Sequence, residues 1–282
     1  GKAVGAAAAT FAELPLPQLP ATSAPWGILI TGVGGTGVVT IGALVGMAAH
    51  LDGKGVTVLD MTGLAQKGGS VFSHVRIADQ PESLHAVRIA AGEADAVIGG
   101  DAIVTASVEA LAKVSTSRTR ALVNIAETPT SAFARDPDWK FPLDRMQAAI
   151  RDATGGNALF LDASSLAATL MGDAIATNLF LLGHAWQQGL VPVSHASLMQ
   201  AIELNAAAVE ALNDPAVRGQ LENLGLQMPP KDKLTPEALG APGFDAAGCM
   251  AIIGLRGQGS SMPLAVAEVA LEPLAVFRHC KA

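Results

Sequence analysis

Cysteine is scarce in this chain of 282 residues, which contains only Cys249 and Cys280. An iron–sulfur cluster normally needs four thiolate ligands, so the chain does not supply enough of them to bind one alone. The two cysteines are far apart, and no Cys-x-x-Cys or His/Cys pair has the spacing of a zinc site. The count gives no support to a disulfide scaffold either, because such scaffolds contain several spaced cysteines.

Charged residues are also few, at 15% of the chain, and they sum to a net charge of −7. Because nucleic-acid phosphates repel an acidic protein, we expect no nucleic-acid partner. Half of the residues are hydrophobic, which excludes a disordered chain and is enough to build a core. This composition suggests that a partner covers part of the surface, although a parallel sheet buried on both faces would raise hydrophobicity by itself.

No signal-peptide pattern is present, and we therefore expect a cytoplasmic protein. The segment Trp26–Leu51 is long enough to span a membrane and carries no formal charge if His50 is neutral. It also contains seven glycines and three threonines, which a strand–turn–helix interpretation explains better. We expect no membrane association.

Residues 27–60 predict a strand, a glycine turn, a helix and a second strand. Ile28–Ile30 is a short apolar run typical of a buried strand, Val38–His50 is the predicted helix, and Val56–Leu59 is the next strand. The glycines between the first strand and the helix allow a tight turn and the close approach of a ligand. Because the helix begins there with free N–H groups and a positive dipole end, the turn favours an anion.

The spacing Gly32-x-Gly34-x-x-Gly37 matches the dinucleotide-binding fingerprint, and Asp60 lies where a ribose-binding acid is expected. The candidate cofactor-binding residues are Gly32, Gly34, Gly35, Thr36, Gly37 and Asp60. In a chain with 30 glycines a second interpretation stays open, in which these glycines serve only the close packing of helix on strand.

The remaining pattern predicts an α/β fold with a doubly wound, mainly parallel, Rossmann-like sheet and C-terminal helices. Further strands are expected at 70–78, 85–89, 94–99, 121–125 and 158–161, and helices at 103–114, 143–152, 164–170, 173–188 and 194–212. Ligand sites in such sheets lie at the carboxyl ends of the strands. The turns expected to converge there are Gly32–Gly37, Asp60–Lys67, Gly99–Asp101 and Asn124–Thr130.

Three regions follow from composition. Residues 1–25 are rich in Ala and Pro and form a lead-in segment or linker, and residues 26–212 form the α/β domain. Residues 213–282 contain a proline-rich linker and a tail to which we assign no function.

Two long stretches resemble a known family. They are Gly-Val-Gly-Gly-Thr-Gly-Val-Val-Thr at 32–40 and Asp-Met-Thr-Gly-Leu-Ala-Gln-Lys-Gly-Gly-Ser-Val-Phe-Ser-His-Val-Arg-Ile at 60–77. They resemble the gamma subunit, or gamma-like domain, of 2-oxoacid:ferredoxin oxidoreductases, and most closely the fused indolepyruvate type of bacteria. The resemblance continues through 127–130, 175–183 and 201–205, and covers about residues 27–212.

The resemblance implies a component of an oxidoreductase, inactive alone, that converts a 2-oxoacid to acyl-CoA. In such enzymes thiamine diphosphate carries the decarboxylation and iron–sulfur clusters receive the electrons. We find no thiamine-diphosphate fingerprint in this chain, so both cofactors are expected on a partner subunit or domain of an oligomeric enzyme. We assign this chain no cofactor of its own, although the phosphates of coenzyme A or a dinucleotide are candidate ligands for the glycine turn.

The second stretch contains candidate contacts to substrate or partner: Gln66, Lys67, Gly68, Gly69, Ser70, His74 and Arg76. Lys67 either pairs with a carboxylate or phosphate or is a solvated loop lysine. His74 is either a proton carrier near neutral pH or a hydrogen-bonded strand histidine at an interface. Arg76, on the same predicted strand face, either holds an acidic partner residue or is simply polar surface. No catalytic residue and no metal ligand is predicted.

Two other functions remain open at this point. One is a free-standing NAD- or FAD-binding oxidoreductase of the Rossmann type, which the glycine spacing would suit. The other is a non-catalytic assembly module in which the glycine turn binds nothing.

Overall fold

The computed structural model describes residues 15–62, 69–127, 141–171, 176–215 and Val217. The strands are β1 (Trp26–Val33), β2 (Gly55–Thr62), β3 (Ser70–Ala78), β4 (Ala96–Gly99), β5 (Arg120–Asn124) and β6 (Ala158–Leu161). The helices are α1 (Val38–Leu51), α2 (Ala102–Thr105), α3 (Val108–Leu111), α4 (Leu143–Ala153), α5 (Ala163–Met171), α6 (Thr177–Gln187) and α7 (His195–Asn213). A short 3-10 helix occupies Pro81–Ser83.

The six strands form one sheet in the order β2-β3-β1-β4-β5-β6. Strands β1, β4, β5 and β6 are parallel, whereas β3 is antiparallel to both of its neighbours, β1 and β2. The predicted α/β class with a mainly parallel sheet is therefore confirmed. The antiparallel β3 was not expected. It agrees with the length of the connection, because the seven residues between Thr62 and Ser70 are too few for the crossover that parallel neighbours require.

Helices cover both faces of the sheet. On one face, Ile28, Ile30 and Leu122 of the strands pack against α1, α6 and α7. On the other face, Leu29 and Val97 pack against α2, α3 and α4. Each central strand is apolar on both sides, as expected for parallel strands buried between two helical layers.

The start of α7 is attached to the end of α1. The Asp52 carboxylate follows α1 and accepts hydrogen bonds from Ser194 N (2.7 Å) and Ser197 Oγ (2.6 Å). Since α7 begins where α1 ends and packs along it, the two helices run antiparallel. The chain in α7 therefore returns toward the first residues of α1.

Two sequence predictions differ from the structure. The strand expected at 85–89 is an irregular segment, because Ile89 is buried and its N–H donates to the His74 ring instead of to a strand. The single helix expected at 103–114 is divided into α2 and α3, since the Ser107 side chain accepts from Ala110 N and starts a new helix.

The predicted linker and tail lie almost wholly outside the described residues. Within the part of the chain that the structure covers, no helix combines the length and apolar character needed to cross a bilayer. The same residues contain no group of three or more His, Cys, Asp or Glu side chains arranged to hold a metal ion.

Candidate functional site

The glycine turn between β1 and α1 closes on the end of its own strand. The backbone N–H and the hydroxyl of Thr36 both donate to the Val33 carbonyl, at 3.1 and 2.7 Å. Gly35 and Gly37 have φ angles of 95° and 77°, in the left-handed region that glycine adopts without strain. The first bond of α1 then runs from Ile41 N to Gly37 O (3.1 Å).

The start of α1 has no side-chain cap. Gly37 is the capping residue and contributes no side chain, so it supplies no capping acceptor to the first N–H groups of α1. The N–H groups of Val38 and Val39 precede the first intrahelical bond, and the positive end of the helix dipole lies at the same place. This is an arrangement that favours an anion.

Asp101 holds the turn to the neighbouring strand. Its Oδ2 accepts from Val33 N (2.6 Å) and its Oδ1 accepts from Val104 N (2.8 Å) at the start of α2. The side chain is buried, and this burial raises the pKa of the carboxyl while the backbone donors lower it. A β-carbon on Gly32 would lie 3.4 Å from Asp101 Oδ2 and only 2.7 Å from Thr36 Oγ1, so Gly32 serves tight packing inside the turn.

Asn178 of α6 lies directly over the turn. A β-carbon on Gly37 would be 2.0 Å from Asn178 Nδ2, so the Asn178 amide occupies the space that a side chain at Gly37 would need. Asn178 is not among the candidate residues predicted from the sequence. The available signal was its position as a polar residue among the apolar residues that open α6.

The segment that carries Lys67 ends beside the glycine turn. Gly34 N donates to Gly69 O (2.8 Å), and Val33 is paired with Ser70 across β1 and β3. The two stretches of the family resemblance therefore meet at the same end of the sheet. Of the candidate contacts, Gly69 and Ser70 lie at this junction, whereas Gln66, Lys67 and Gly68 lie outside the described residues.

Asn124 joins the ends of the next strands to this region. Its Nδ2 donates to Gly100 O (3.1 Å), and its Oδ1 accepts from Ala163 N (3.0 Å) at the start of α5. Gly100 N donates in turn to Thr31 O (2.7 Å). The turns after β1, β4 and β5 thus converge as predicted, through direct hydrogen bonds.

Asp60 does not lie at the glycine turn. It is paired with Ser73, which is paired with Ile30, so the whole of β3 separates Asp60 from β1. From strand spacing and rise, its Cα is about 14 Å from that of Val33 at the turn. The side chain faces Gly42 in the middle of α1. Although Asp60 is exposed, desolvation of its carboxyl raises the pKa, and Ser73 opposes this shift.

His74 and Arg76 lie on the sheet face opposite Asp60 and α1. Along the strand they lie toward the end of the sheet that is away from the glycine turn. His74 is 2% exposed, and its Nδ1 accepts from Ile89 N (3.3 Å). Burial lowers the pKa of His74 to about 4, with a further lowering from Arg88 and Lys113. The ring is therefore neutral near pH 7, which favours the hydrogen-bonded strand histidine over the proton carrier.

The fold and the turn define the class of protein. A doubly wound α/β sheet with an uncapped helix after a glycine turn is a Rossmann-like domain suited to an anionic ligand. The chain belongs to the pyruvate ferredoxin/flavodoxin oxidoreductase family, whose match covers residues 27–217. It is accordingly a component of an oxidoreductase of this kind, and the family resemblance in the sequence is confirmed.

Curated relatives include the indolepyruvate oxidoreductase subunit IorB of Thermococcus kodakarensis, with 29% identity over 64% of this chain and 86% of the relative. The subunit IorB of Methanothermobacter thermautotrophicus is 28% identical over 64% of this chain and 87% of the relative. Both come from archaea, whereas the resemblance in the sequence pointed to a bacterial source. Among solved structures, the pyruvate oxidoreductase subunit PORC of Thermotoga maritima aligns with 77% of this chain and 93% of that chain, at 20% identity and a TM-score of 0.43.

Proposed function

We propose that this chain is the gamma-type component of an indolepyruvate-type 2-oxoacid ferredoxin oxidoreductase. It acts with a partner subunit or domain that binds thiamine diphosphate, and the assembly converts a 2-oxoacid to acyl-CoA. Membership of the family and the IorB relatives support this assignment. The observation that carries the site is the hydrogen bond from Gly34 N to Gly69 O, which joins the glycine turn to the lysine-bearing segment.

We propose that the turn holds the phosphate groups of coenzyme A. The uncapped start of α1 offers N–H donors and a positive dipole end. Because Gly37 has no side chain, the Asn178 amide can lie against the same helix start. Asn178 adds an amide beside these donors. Lys67, which leads into Gly69, would supply the cation that balances a phosphate. When bound, coenzyme A supplies the thiol that accepts the acyl group.

In this proposal the chain positions a reactant and completes an interface, and the partner carries the redox chemistry. Thiamine diphosphate and iron–sulfur clusters reside on partner domains, in keeping with a sequence that contains two cysteines. The assembly is cytoplasmic and oligomeric, and it does not act on nucleic acid.

A dinucleotide at the same turn is the second candidate, because the spacing of Gly32, Gly34 and Gly37 suits one. The position of Asp60 speaks against it. In the dinucleotide-binding fold the strand after the first helix lies beside the first strand, and its acid reaches the ribose. Here β3 lies between those strands.

The test is reconstitution of the assembly with its thiamine-diphosphate partner, with separate assays of 2-oxoacid decarboxylation and of acyl-CoA formation. We expect Gly34→Val to raise the KM for coenzyme A by a larger factor than it lowers the decarboxylation rate, because a side chain crowds the phosphate-binding turn. Gly183→Ala is the control, since a β-carbon there meets no described atom within 4 Å beyond the backbone of its own helix. Equal loss of both activities would make the turn purely structural, and bound NAD or FAD would favour the dinucleotide.

A further inference from the structure

A cleft lined by charged side chains lies at the end of the sheet opposite the glycine turn. It is a cleft of about 550 Å³ between residues 23–25, the strand residue Arg76 and the irregular segment 83–93. Its polar and charged lining residues are Ser23, Arg76, Ser83, His85, Arg88 and Glu93. We refer to it as the arginine cleft. Arg76 and Ser70 are six residues apart on β3, or about 20 Å, so the cleft is separate from the turn.

The cationic groups of the arginine cleft are poorly neutralised. Two ion pairs occur among the described residues, and neither includes Arg88, which is exposed. Arg76 reaches Glu93 only at 3.9 Å and donates to Arg88 O at 3.5 Å, which are long contacts. Two arginines against one carboxylate leave an excess of positive charge in a chain whose net charge is −7.

The backbone that carries the two arginines is nevertheless held in place. Arg76 is on a strand paired along both edges, and its side chain is 16% exposed. The segment that presents Arg88 is anchored by the next residue, Ile89, which is 1% exposed and donates its N–H to His74. Two guanidinium groups on a fixed base form a preorganised site for carboxylates, because each presents a planar fork of donors.

The shape of the cleft indicates the kind of ligand. Sites for small molecules usually enclose most of the ligand surface. The arginine cleft instead opens broadly to solvent, and Val87 on the same segment is 49% exposed. An open, basic surface with an exposed apolar residue beside it is suited to a protein segment with acidic side chains.

We propose that the arginine cleft docks an acidic segment of a partner polypeptide, whose carboxylates pair with Arg76 and Arg88. The proposal rests on the proposed function only in requiring that the chain works in an assembly. It places an interface at the end of the sheet opposite the glycine turn, and this interface is distinct from the turn.

The test uses the full chain and a synthetic peptide of alternating glutamate and alanine, titrated at low salt and followed by backbone NMR and calorimetry. We expect shifts to concentrate at Arg76 and the segment 84–93, and a glutamine–alanine peptide to bind far more weakly. Arg88→Glu should weaken binding by about tenfold or more, as expected when a close charge pair is reversed. Arg145→Glu is the matched control, because Arg145 is exposed on α4 and takes part in neither ion pair.

Equal weakening by Arg88→Glu and Arg145→Glu would overturn the proposal, since the attraction would then be a general charge effect. It would also be overturned if inorganic phosphate displaced the peptide at a comparable concentration with the same dependence on Arg88, because the cleft would then bind small anions. The titration contains no 2-oxoacid, thiamine diphosphate or coenzyme A. Its failure is therefore distinguishable from failure of the proposed function.

Discussion

Asn178 Nδ2 lies 2.0 Å from the position that a β-carbon on Gly37 would occupy. Gly37, whose left-handed backbone conformation precedes α1, thus also lies against the Asn178 side chain of α6. Gly37 is constrained twice, by its φ of 77° and by this contact. The two constraints can be separated by mutation.

Gly37→Ala should lower the free energy of unfolding by about 1–3 kcal/mol, from left-handed strain of about 1–2 kcal/mol together with displacement of the Asn178 amide. The double variant Gly37→Ala/Asn178→Gly removes the clash and should recover part of the loss, leaving the strain. Urea unfolding of the two single variants and the double variant measures the coupling. Simple additivity of the two single effects would show that the contact carries no energy.

Asn178→Ala should raise the KM for coenzyme A in the reconstituted enzyme by about tenfold, the equivalent of one hydrogen bond of about 1.4 kcal/mol. The decarboxylation rate should change little, because the amide lies at the turn and takes no part in that step. Steady-state kinetics with varied coenzyme A provide the measurement. An unchanged KM would assign Asn178 to helix packing alone.

Asp101→Asn should destabilise the domain by about 2–3 kcal/mol. An amide retains one acceptor oxygen but turns its NH₂ group toward a backbone N–H donor, which leaves a buried donor unpaired. Asp162→Asn is the matched control, since Asp162 accepts from Ser165 N and Ser165 Oγ at an exposed helix start. That variant should cost about 1 kcal/mol or less. Similar losses in the two variants would contradict the role given to burial.

The stability of the domain should depend on pH through His74. Its pKa is about 4 in the folded state against 6.5 ordinarily, so the unfolded chain binds the proton more tightly. Stability is fully present above pH 6.5, falls by up to about 3 kcal/mol as the pH drops to about 4, and levels off below that.

His74→Asn keeps an acceptor for Ile89 N and removes the titrating group, so its stability should vary less between these pH values. Urea unfolding at several pH values compares it with the unchanged protein and with the exposed His85→Asn. A pH dependence identical in all three would show that His74 does not control it.

The glycine turn, the α/β class and the convergence of the strand ends were predictable, because each follows from local signals. Glycine spacing and apolar runs mark a turn between a strand and a helix wherever the strand lies in the sheet. The order of strands is not a local property. Polar and apolar residues alternate along 70–78, as expected for an antiparallel strand. This pattern does not indicate that the strand inserts between β1 and β2. For this reason Asp60 was assigned to the turn.

The surroundings of the β3 face that carries His74 and Arg76 were also not predictable from local sequence signals. The alternation placed them together correctly, and the structure confirms that they share a face opposite Val75 and Ile77. Their surroundings depend on a segment without regular structure, whose buried Ile89 closes over the histidine. Such a segment has no periodicity, so sequence reasoning could not distinguish solvent, interface and interior on that face.

The antiparallel attachment of α7 to α1 determines which end of α7 extends beyond its neighbour. With 19 residues against 14, α7 is longer than its neighbour by about 7 Å of helix, and their shared end is fixed at Asp52. The five extra residues therefore carry the C-terminal end of α7 beyond the first residue of α1.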